Sequence, residues 1–160
     1  MKRIKLYLDT SAIGYLDEKT SPKEMGEMQQ LWELIKRGEY DVCISSVVID
    51  ELMANNNTEK RDALLSYLKQ IEFDIINITD EAHATAKIVV QNGIISDKNY
   101  NDSLHIALAI TNGCDCLVSF NFKHLVNIKT IKGARAISNL RGYGNLDIIS
   151  AVALIQKGEE

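Results

Sequence analysis

The segment IKLYLDTS, residues 4–11, decides the fold, because a short apolar strand runs directly into an acidic, hydroxyl-rich turn. Such a run, with β-branched and aromatic residues and a polar stop, is typical of a buried strand. Strand-like and helix-like segments alternate from there along the chain. That alternation predicts an α/β protein whose mainly parallel sheet is covered by helices on both faces. Ligands of open parallel sheets bind outside the carboxyl ends of the strands, which directs attention to Asp9.

The other elements follow from apolar periodicity and from capping residues. Ser21-Pro22 combines the start of a capping box with proline at the first helical position, and Thr58 is a further expected cap. The expected strands are 4–8, 42–45, 73–78 and 116–119. The expected helices run from 22 to the basic, glycine-terminated stop at 36–38, then over 46–53, 62–71, 79–93 and 101–111 and within 130–140, with a weak strand-then-helix signal over 146–155.

The composition predicts one globular domain over residues 1–160. The chain has 160 residues, of which 46% are hydrophobic and 25% charged, which excludes disordered and fibrous classes. No apolar run approaches the roughly 18–20 residues that a membrane helix needs. Asp9 interrupts the first apolar stretch too early for a secretory signal. Three cysteines, an odd number, fit reduced thiols, so the sequence predicts a cytoplasmic protein without a membrane partner.

The net charge of −4 hides an uneven distribution of charge. Between Cys116 and Leu146 the chain contains no Asp or Glu. The basic residues of that stretch are Lys123, Lys129, Lys132, Arg135 and Arg141. An acidic body with a basic C-terminal third could hold cations in one place and a polyanion in another, and the alternative is an ordinary solvated surface.

Three acids occupy positions where core elements begin or end. Asp9 follows the first strand, Glu51 lies in the apolar segment SSVVIDELM, and Asp102 opens the apolar helix DSLHIALAI. Taken singly, each is explained as a helix cap or a solvent-facing side chain. Taken together, converging carboxylates would repel one another unless a cation lies between them. Oxygen ligands without a Cys/His cluster favour Mg²⁺ or Mn²⁺, and such ions support phosphodiester cleavage.

These motifs, in this order, resemble a PIN domain. The resemblance rests on DTS at 9–11, SSVVIDEL at 45–52, DSLHIALA at 102–109 and LVSFNFKHL at 117–125, and it covers essentially the whole chain. PIN domains are metal-dependent ribonucleases that include the VapC toxins of toxin–antitoxin pairs. The resemblance therefore implies a three-layer αβα sandwich with an acidic pocket at the carboxyl ends of the strands. It implies an endoribonuclease that uses Mg²⁺ or Mn²⁺.

The family pattern assigns roles to the acids by position. Asp9, Glu51 and Asp102 match the first three family acids, which are catalytic and hold metal. The fourth acid normally lies two residues after a Thr at the end of the fourth strand. Here Ser119 takes the place of the Thr and Asn121 that of the acid, as in a free-standing subgroup. Asn121 is expected to offer an uncharged oxygen to a metal, which would bind the second ion more weakly.

The substrate side of the expected site follows from the same comparison. Thr10 or Ser11 matches the small hydroxyl position that orients metal-bound water or phosphate, and Ser119 takes the place of the family Thr. These three residues are expected to bind substrate together with Lys123 and His124, which follow the fourth-acid position directly. The resemblance implies hydrolysis of a single-stranded RNA by in-line attack of water, giving a 5′-phosphate and a 3′-hydroxyl. Phe122 could stack on a base.

The resemblance also implies protein partners. PIN toxins bind a small antitoxin along their early helices, and many form homodimers. The apolar stripe Met25, Met28, Leu31 and Trp32 could supply such a surface, but its helical spacing favours an internal core stripe. His105, three residues after Asp102, could face the same pocket, yet its apolar surroundings favour a place in the core.

Two alternatives stay open at this level. The first is a PIN-fold module that has lost catalytic strength and binds RNA or a protein, which the amide at position 121 favours. The second is phosphoryl chemistry on a small molecule. An aspartyl nucleophile of that kind would want an acid where Ser11 stands, and the chain contains no GxxxxGK[ST] motif.

Overall fold

The structure is a computed structural model that describes residues 2–155. Five strands and eight α-helices form within this part of the chain. The strands are β1 (Ile4–Leu8), β2 (Tyr40–Ser45), β3 (Asp74–Ile76), β4 (Cys116–Val118) and β5 (Asp147–Ile149). The helices are α1 (Thr10–Gly14), α2 (Pro22–Lys36), α3 (Ser46–Met53), α4 (Thr58–Leu68), α5 (Asp80–Gln91), α6 (Tyr100–Thr111), α7 (Ile128–Leu140) and α8 (Val152–Ile155).

All five strands are parallel and lie in the order β3-β2-β1-β4-β5. The chain moves outward from β1 through β2 to β3 and then crosses back to β4 on the other side of β1. Because crossovers between parallel strands are right-handed, this reversal places the helices before and after β3 on opposite faces. Accordingly α5 packs on α6 and α7, while α2 packs on α8. The expected three-layer α/β sandwich with a parallel sheet is confirmed.

The core is centred on strand β1. Leu6, Tyr7 and Leu8 of β1 are fully buried, because this strand lies in the middle of the sheet and is covered on both faces. The expected core stripe of α2 is also found: Met28, Leu31 and Trp32 are buried, and Met25 at its start is half-buried. This stripe therefore packs inward.

Several boundaries differ from those expected. Asn57, and not Thr58, caps α4, because its side chain accepts the Lys60 amide, so the helix begins and ends earlier than the apolar pattern suggested. Ser21 makes no side-chain hydrogen bond at the start of α2, so the expected capping box does not form there. β3 is confined to three residues. The weak signal near the end of the chain corresponds to β5 and α8.

Two further expectations concern membranes and cysteines. None of the helices within residues 2–155 is long and apolar enough to cross a bilayer. Cys43, Cys114 and Cys116 are buried and form no disulfide.

Candidate active site

The sheet has one point where its connections reverse direction, and the candidate site lies there. β1 and β4 are neighbours, although the chain visits β2 and β3 between them. Their carboxyl ends meet where the Asp9 amide donates to the Val118 carbonyl at 3.2 Å. Helices leave these two strands toward opposite faces, and ligands of open parallel sheets bind at such a point. Asp9 and Ser119, the first residues beyond β1 and β4, lie there and are buried.

Asp9 combines a structural and an electrostatic role. Its side chain is 3% exposed, and its Oδ1 accepts the Ala12 amide and the Ser11 hydroxyl, both at 2.8 Å. The first of these bonds caps α1. Burial raises the pKa of Asp9 above its ordinary value, against the lowering effects of nearby His105 and of hydrogen bonds from Ser119, Ala12 and Ser11. An ionised Asp9 is therefore a buried negative charge that a cation would stabilise.

A pair of hydroxyl groups connects the two strand ends. The Oγ atoms of Ser11 and Ser119 lie 3.3 Å apart. Ser11 Oγ also accepts the Phe120 amide at 2.8 Å, and Ser119 Oγ accepts the Asn121 amide at 2.9 Å. Both serines thus fix the loop after β4 against the turn after β1, next to the carboxylate of Asp9.

Glu51 reaches the same edge from β2. Helix α3 begins directly after this strand, because the Ser45 side chain accepts the Val48 amide, and about one and a half turns of helix then carry Glu51 to Thr10. The Thr10 hydroxyl donates to Glu51 Oε1, and Asn101 Nδ2 donates to Oε2 at 3.0 Å. The carboxylate is thereby joined to the residue after Asp9 and to helix α6.

The ionised form of Glu51 is strongly favoured. Burial alone would raise the pKa of Glu51, but hydrogen bonds from His105, Thr10 and Asn101, together with the charge interaction with His105, lower it to about 2. Glu51 is therefore a carboxylate at any physiological pH, with its acceptor sites directed by fixed donors.

Sequence reasoning missed the contribution of His105 and Tyr7. The expectation that His105 is a core residue is correct for its burial, 3% exposed, but incomplete, because its Nε2 lies 3.1 Å from Glu51 Oε1. Its Nδ1 lies 2.7 Å from the Tyr7 hydroxyl. The signal available in the sequence was spacing: His105 lies one helical turn beyond Asn101 and Asp102, on the face that meets Glu51.

Asp102 and Asn121 form a second arm of the site. Asp102 Oδ2 lies 2.9 Å from His124 Nδ1. Asn121 Oδ1 accepts the His124 amide at 2.9 Å and so closes the turn after β4. The amide oxygen expected to face a metal therefore has a structural partner, and its contact supports the loop that brings His124 to Asp102.

The structure places all the sequence-derived site residues at one edge of the sheet, in two arms. Ser11 and Ser119 hydrogen bond to Asp9 and Glu51 is bonded to the adjacent Thr10, whereas Asp102, Asn121 and His124 form the other arm. Asn101, which binds Glu51, immediately precedes Asp102 in α6 and joins the arms. Among residues 2–155 no three His, Cys, Asp or Glu side chains are grouped closely enough to form a ready-made metal site. Asp9, Glu51 and Asp102 each offer carboxylate oxygens, which is the type of donor that Mg²⁺ and Mn²⁺ prefer.

A basic cleft adjoins the second arm. It has a volume of about 410 Å³, and its lining includes Lys98, Lys123, His124 and Lys129. Lys98 precedes the basic segment and was not expected in this role. The more distant arginines of that segment are engaged elsewhere: Arg135 pairs with Asp147, and Arg141 pairs with Glu81 at 3.4 Å. Of the basic C-terminal third, Lys123 and Lys129 therefore line the compact cleft beside Asp102, and Arg135 and Arg141 are paired with acids.

Comparison with known proteins bears on this arrangement. The family model described as PIN domain matches residues 6–129. Among solved structures, the chain is similar to one in the crystal structure of VapBC2 from Rickettsia felis bound to a DNA fragment from their promoter. The TM-score is 0.56 and the sequence identity 20%, over 91% of this chain and 98% of that chain, a likeness that concerns the fold. A search of curated proteins finds no significant match.

Proposed function

Because the chain belongs to the PIN domain family, we propose that it is an endoribonuclease that requires Mg²⁺ or Mn²⁺ and hydrolyses single-stranded RNA. The observation that carries this proposal is the buried Asp9 carboxylate at the switch point of the sheet, with Glu51 held beside it and Asp102 on the adjoining helix. A divalent ion would supply charge neutralisation at the scissile phosphate when bound.

Each residue of the edge has a role in this proposal. Asp9 and Asp102 supply the charged oxygen ligands of the ion. Glu51, ionised at neutral pH, orients the attacking water or holds the ion through water. Ser11 and Ser119 keep the loop after β4 aligned with Asp9. Asn121 fixes the loop and contributes no charge, so the proposal assigns the strong ion site to the acids alone.

The proposal is tested by incubating the protein with a 5′-labelled single-stranded RNA in Mn²⁺ and, separately, in EDTA. We expect cleavage in Mn²⁺ alone, with products that carry a 5′-phosphate and a 3′-hydroxyl. Equal cleavage in EDTA would exclude metal-dependent hydrolysis, and no cleavage in Mn²⁺ would exclude nuclease activity on such substrates.

We propose that the basic cleft binds the RNA strand as it leaves Asp102. Lys98, Lys123 and Lys129 are exposed around the cleft, and His124 joins it to the acidic arm. Phe122, 51% exposed, packs edge-on against Phe120 with ring centroids 6.2 Å apart and presents its free face to solvent beside this loop. Cations that follow a backbone and an exposed ring that stacks on bases are the features of single-strand binding sites.

Replacing Lys123 or Lys129 by glutamine should weaken RNA binding. For single strands each lost phosphate contact lowers the slope of log affinity against log salt by about 0.7. The measurement is a salt series of fluorescence anisotropy titrations in EDTA, where cleavage does not intervene. Lys36→Gln is the matched control, because Lys36 ends α2 at the opposite edge of the sheet and pairs with Glu33. An unchanged slope in both cleft variants would remove this cleft from the binding site.

The second candidate function is an RNA-binding or protein-binding module with weakened catalysis. It is favoured by one observation: Asn121 stands at the fourth-acid position and its oxygen is bonded to the His124 amide. This candidate predicts salt-dependent RNA binding through the cleft together with no cleavage in Mn²⁺, so the two assays above separate it from the nuclease.

A small antitoxin is the partner that we propose, on the basis of the similarity to a chain of a VapBC complex. The apolar stripe of α2 is not the surface for it, because Met28, Leu31 and Trp32 are buried in the core. The residues of the candidate site themselves support an RNA substrate and a divalent ion as the other partners.

A further inference from the structure

A chain of buried polar side chains runs from the core to the candidate site. The Tyr7 hydroxyl lies 2.7 Å from Ser45 Oγ on one side and 2.7 Å from His105 Nδ1 on the other. His105 Nε2 in turn lies 3.1 Å from Glu51 Oε1. Tyr7 and Ser45 are 0% exposed and His105 3%. The only member with substantial exposure to solvent is Glu51, so the chain ends at the site.

The hydrogen-bond network assigns a direction to this chain. Thr10 and Asn101 donate to the two oxygens of Glu51 and His105 Nε2 faces Oε1, so the geometry assigns a proton to Nε2. In the neutral imidazole Nδ1 is then an acceptor, and the Tyr7 hydroxyl donates to it. Ser45 Oγ accepts the Val48 amide at 3.3 Å and is free to donate its own proton to Tyr7. With these assignments every donor and acceptor of the chain has a partner.

Burying three polar side chains in an otherwise apolar core has a cost that well-packed apolar residues would avoid. His105 is flanked in α6 by Leu104 and Ile106, both buried. In helix α6, position 105 would thus accept an apolar residue on grounds of packing. What an apolar residue could not provide is a donor aimed at Glu51.

We propose that Tyr7 and His105 are positioning residues for the ion site, acting through Glu51. By donating to Nδ1, Tyr7 favours the neutral tautomer that carries its proton on Nε2, where it fixes the orientation of the Glu51 carboxylate. The other tautomer would place a bare nitrogen against a carboxylate. This inference rests on the proposed function for its consequence, but the positioning of Glu51 is measurable without metal or RNA.

The test compares Tyr7→Phe, His105→Leu and His105→Gln with the control Tyr40→Phe. Tyr40 is half-buried and its hydroxyl donates to the Leu154 carbonyl at 3.4 Å, so the control removes the same atom away from the site. Partners that orient metal-binding groups typically contribute 10- to 100-fold to metal affinity or activity. We expect Tyr7→Phe and His105→Leu to weaken Mn²⁺ binding by about 10-fold or more in calorimetric titrations. RNA affinity in EDTA should stay within about twofold of the unmodified protein.

A tautomer effect has a signature that a loss of packing lacks. His105→Gln offers an amide donor that needs no tautomer control, so it should retain Mn²⁺ affinity, and Tyr7→Phe should have no further effect in that background. If Tyr7→Phe lowers Mn²⁺ affinity equally in both backgrounds, or lowers only the melting temperature, the inference is wrong.

Crystal structures of the metal-free variants separate this inference from the proposed function. We expect the Glu51 carboxylate to leave its position in Tyr7→Phe and His105→Leu and to keep it in Tyr40→Phe. An unmoved carboxylate overturns the positioning role even if the protein cleaves RNA. A displaced carboxylate supports the role even if the unmodified protein cleaves nothing or binds no Mn²⁺.

Discussion

Asp9→Asn should abolish Mn²⁺-dependent RNA cleavage and leave a folded protein. Asparagine keeps an oxygen that can accept the Ser11 hydroxyl and the Ala12 amide, so the cap of α1 survives. What disappears is the negative charge at the centre of the site. A stabilisation of several kcal/mol lost from the transition state corresponds to a rate reduction of about 10³-fold or more.

In the absence of metal, Asp9→Asn distinguishes the effect of the Asp9 charge on stability from the effect of its hydrogen bonds. Because burial raises the pKa of Asp9, the folded state holds a proton there more tightly than the unfolded state does. The contribution of Asp9 to stability therefore falls as the pH rises above its ordinary pKa of 3.8. At pH 7 and without metal, Asp9→Asn should melt no lower than the unmodified protein, and Mn²⁺ should no longer raise its melting temperature.

The matched control for Asp9→Asn is Asp50→Asn. Asp50 is exposed and directly precedes Glu51 in α3. It takes no part in the hydrogen bonds that hold Glu51. The Asp50→Asn variant should cleave RNA at the rate of the unmodified protein, and its preparation should contain the same background of contaminating nuclease. Retained cleavage by Asp9→Asn, or an equal loss in both variants, would contradict the assignment of Asp9 as a ligand.

Glu51→Gln should destabilise the protein at neutral pH by up to about 3 kcal/mol, because the pKa of Glu51 is lowered from 4.5 to about 2 by donors that require a carboxylate. A carboxyl group with a depressed pKa contributes stability that is present above its unfolded pKa. This stability is lost as the pH falls toward the folded value. The difference in unfolding free energy between the unmodified protein and the variant should therefore shrink between pH 4.5 and pH 2.

Urea unfolding at pH 7, 5, 4 and 3 measures this difference. Glu33→Gln is the control, because Glu33 is 62% exposed in its pair with Lys36 and should change stability by less than about 0.5 kcal/mol at any of these pH values. A gap for Glu51→Gln that stays constant with pH would show that packing, and not the ionised carboxylate, accounts for the loss.

The sequence contained most of the fold. The strand at residues 4–8 and the alternation of elements predicted a parallel sheet with two helical layers, because apolar periodicity reports burial directly. It did not predict that Asn57 would cap α4 in place of Thr58, since both residues can cap and only the path of the loop decides. β3 is shorter than its apolar run, because at the edge of the sheet only three of its residues pair with β2.

The candidate site, like the fold, could be predicted from the sequence only in part. The positions of Asp9, Glu51 and Asp102 at the ends of core elements were readable, because parallel strands bring their carboxyl ends to one edge. The network through Tyr7 and His105 was not, since it joins β1 to α6 across 98 positions and neither residue carries a local sign of its partner. The pattern gives the position of Asn121 and not the direction of its amide oxygen, which accepts the His124 amide.

The cap that Asp9 provides to α1 bears on how such proteins change over generations. Asp9, which would hold an ion, also caps the first helix. A substitution that removes the acceptor at position 9 would therefore lower the stability of the fold as well as the activity. A descendant that gave up cleavage would still need an acceptor there, which asparagine would provide as well as aspartate. The groups that hold Glu51 would likewise favour an acceptor at position 51, so neither position would vary freely in such a lineage.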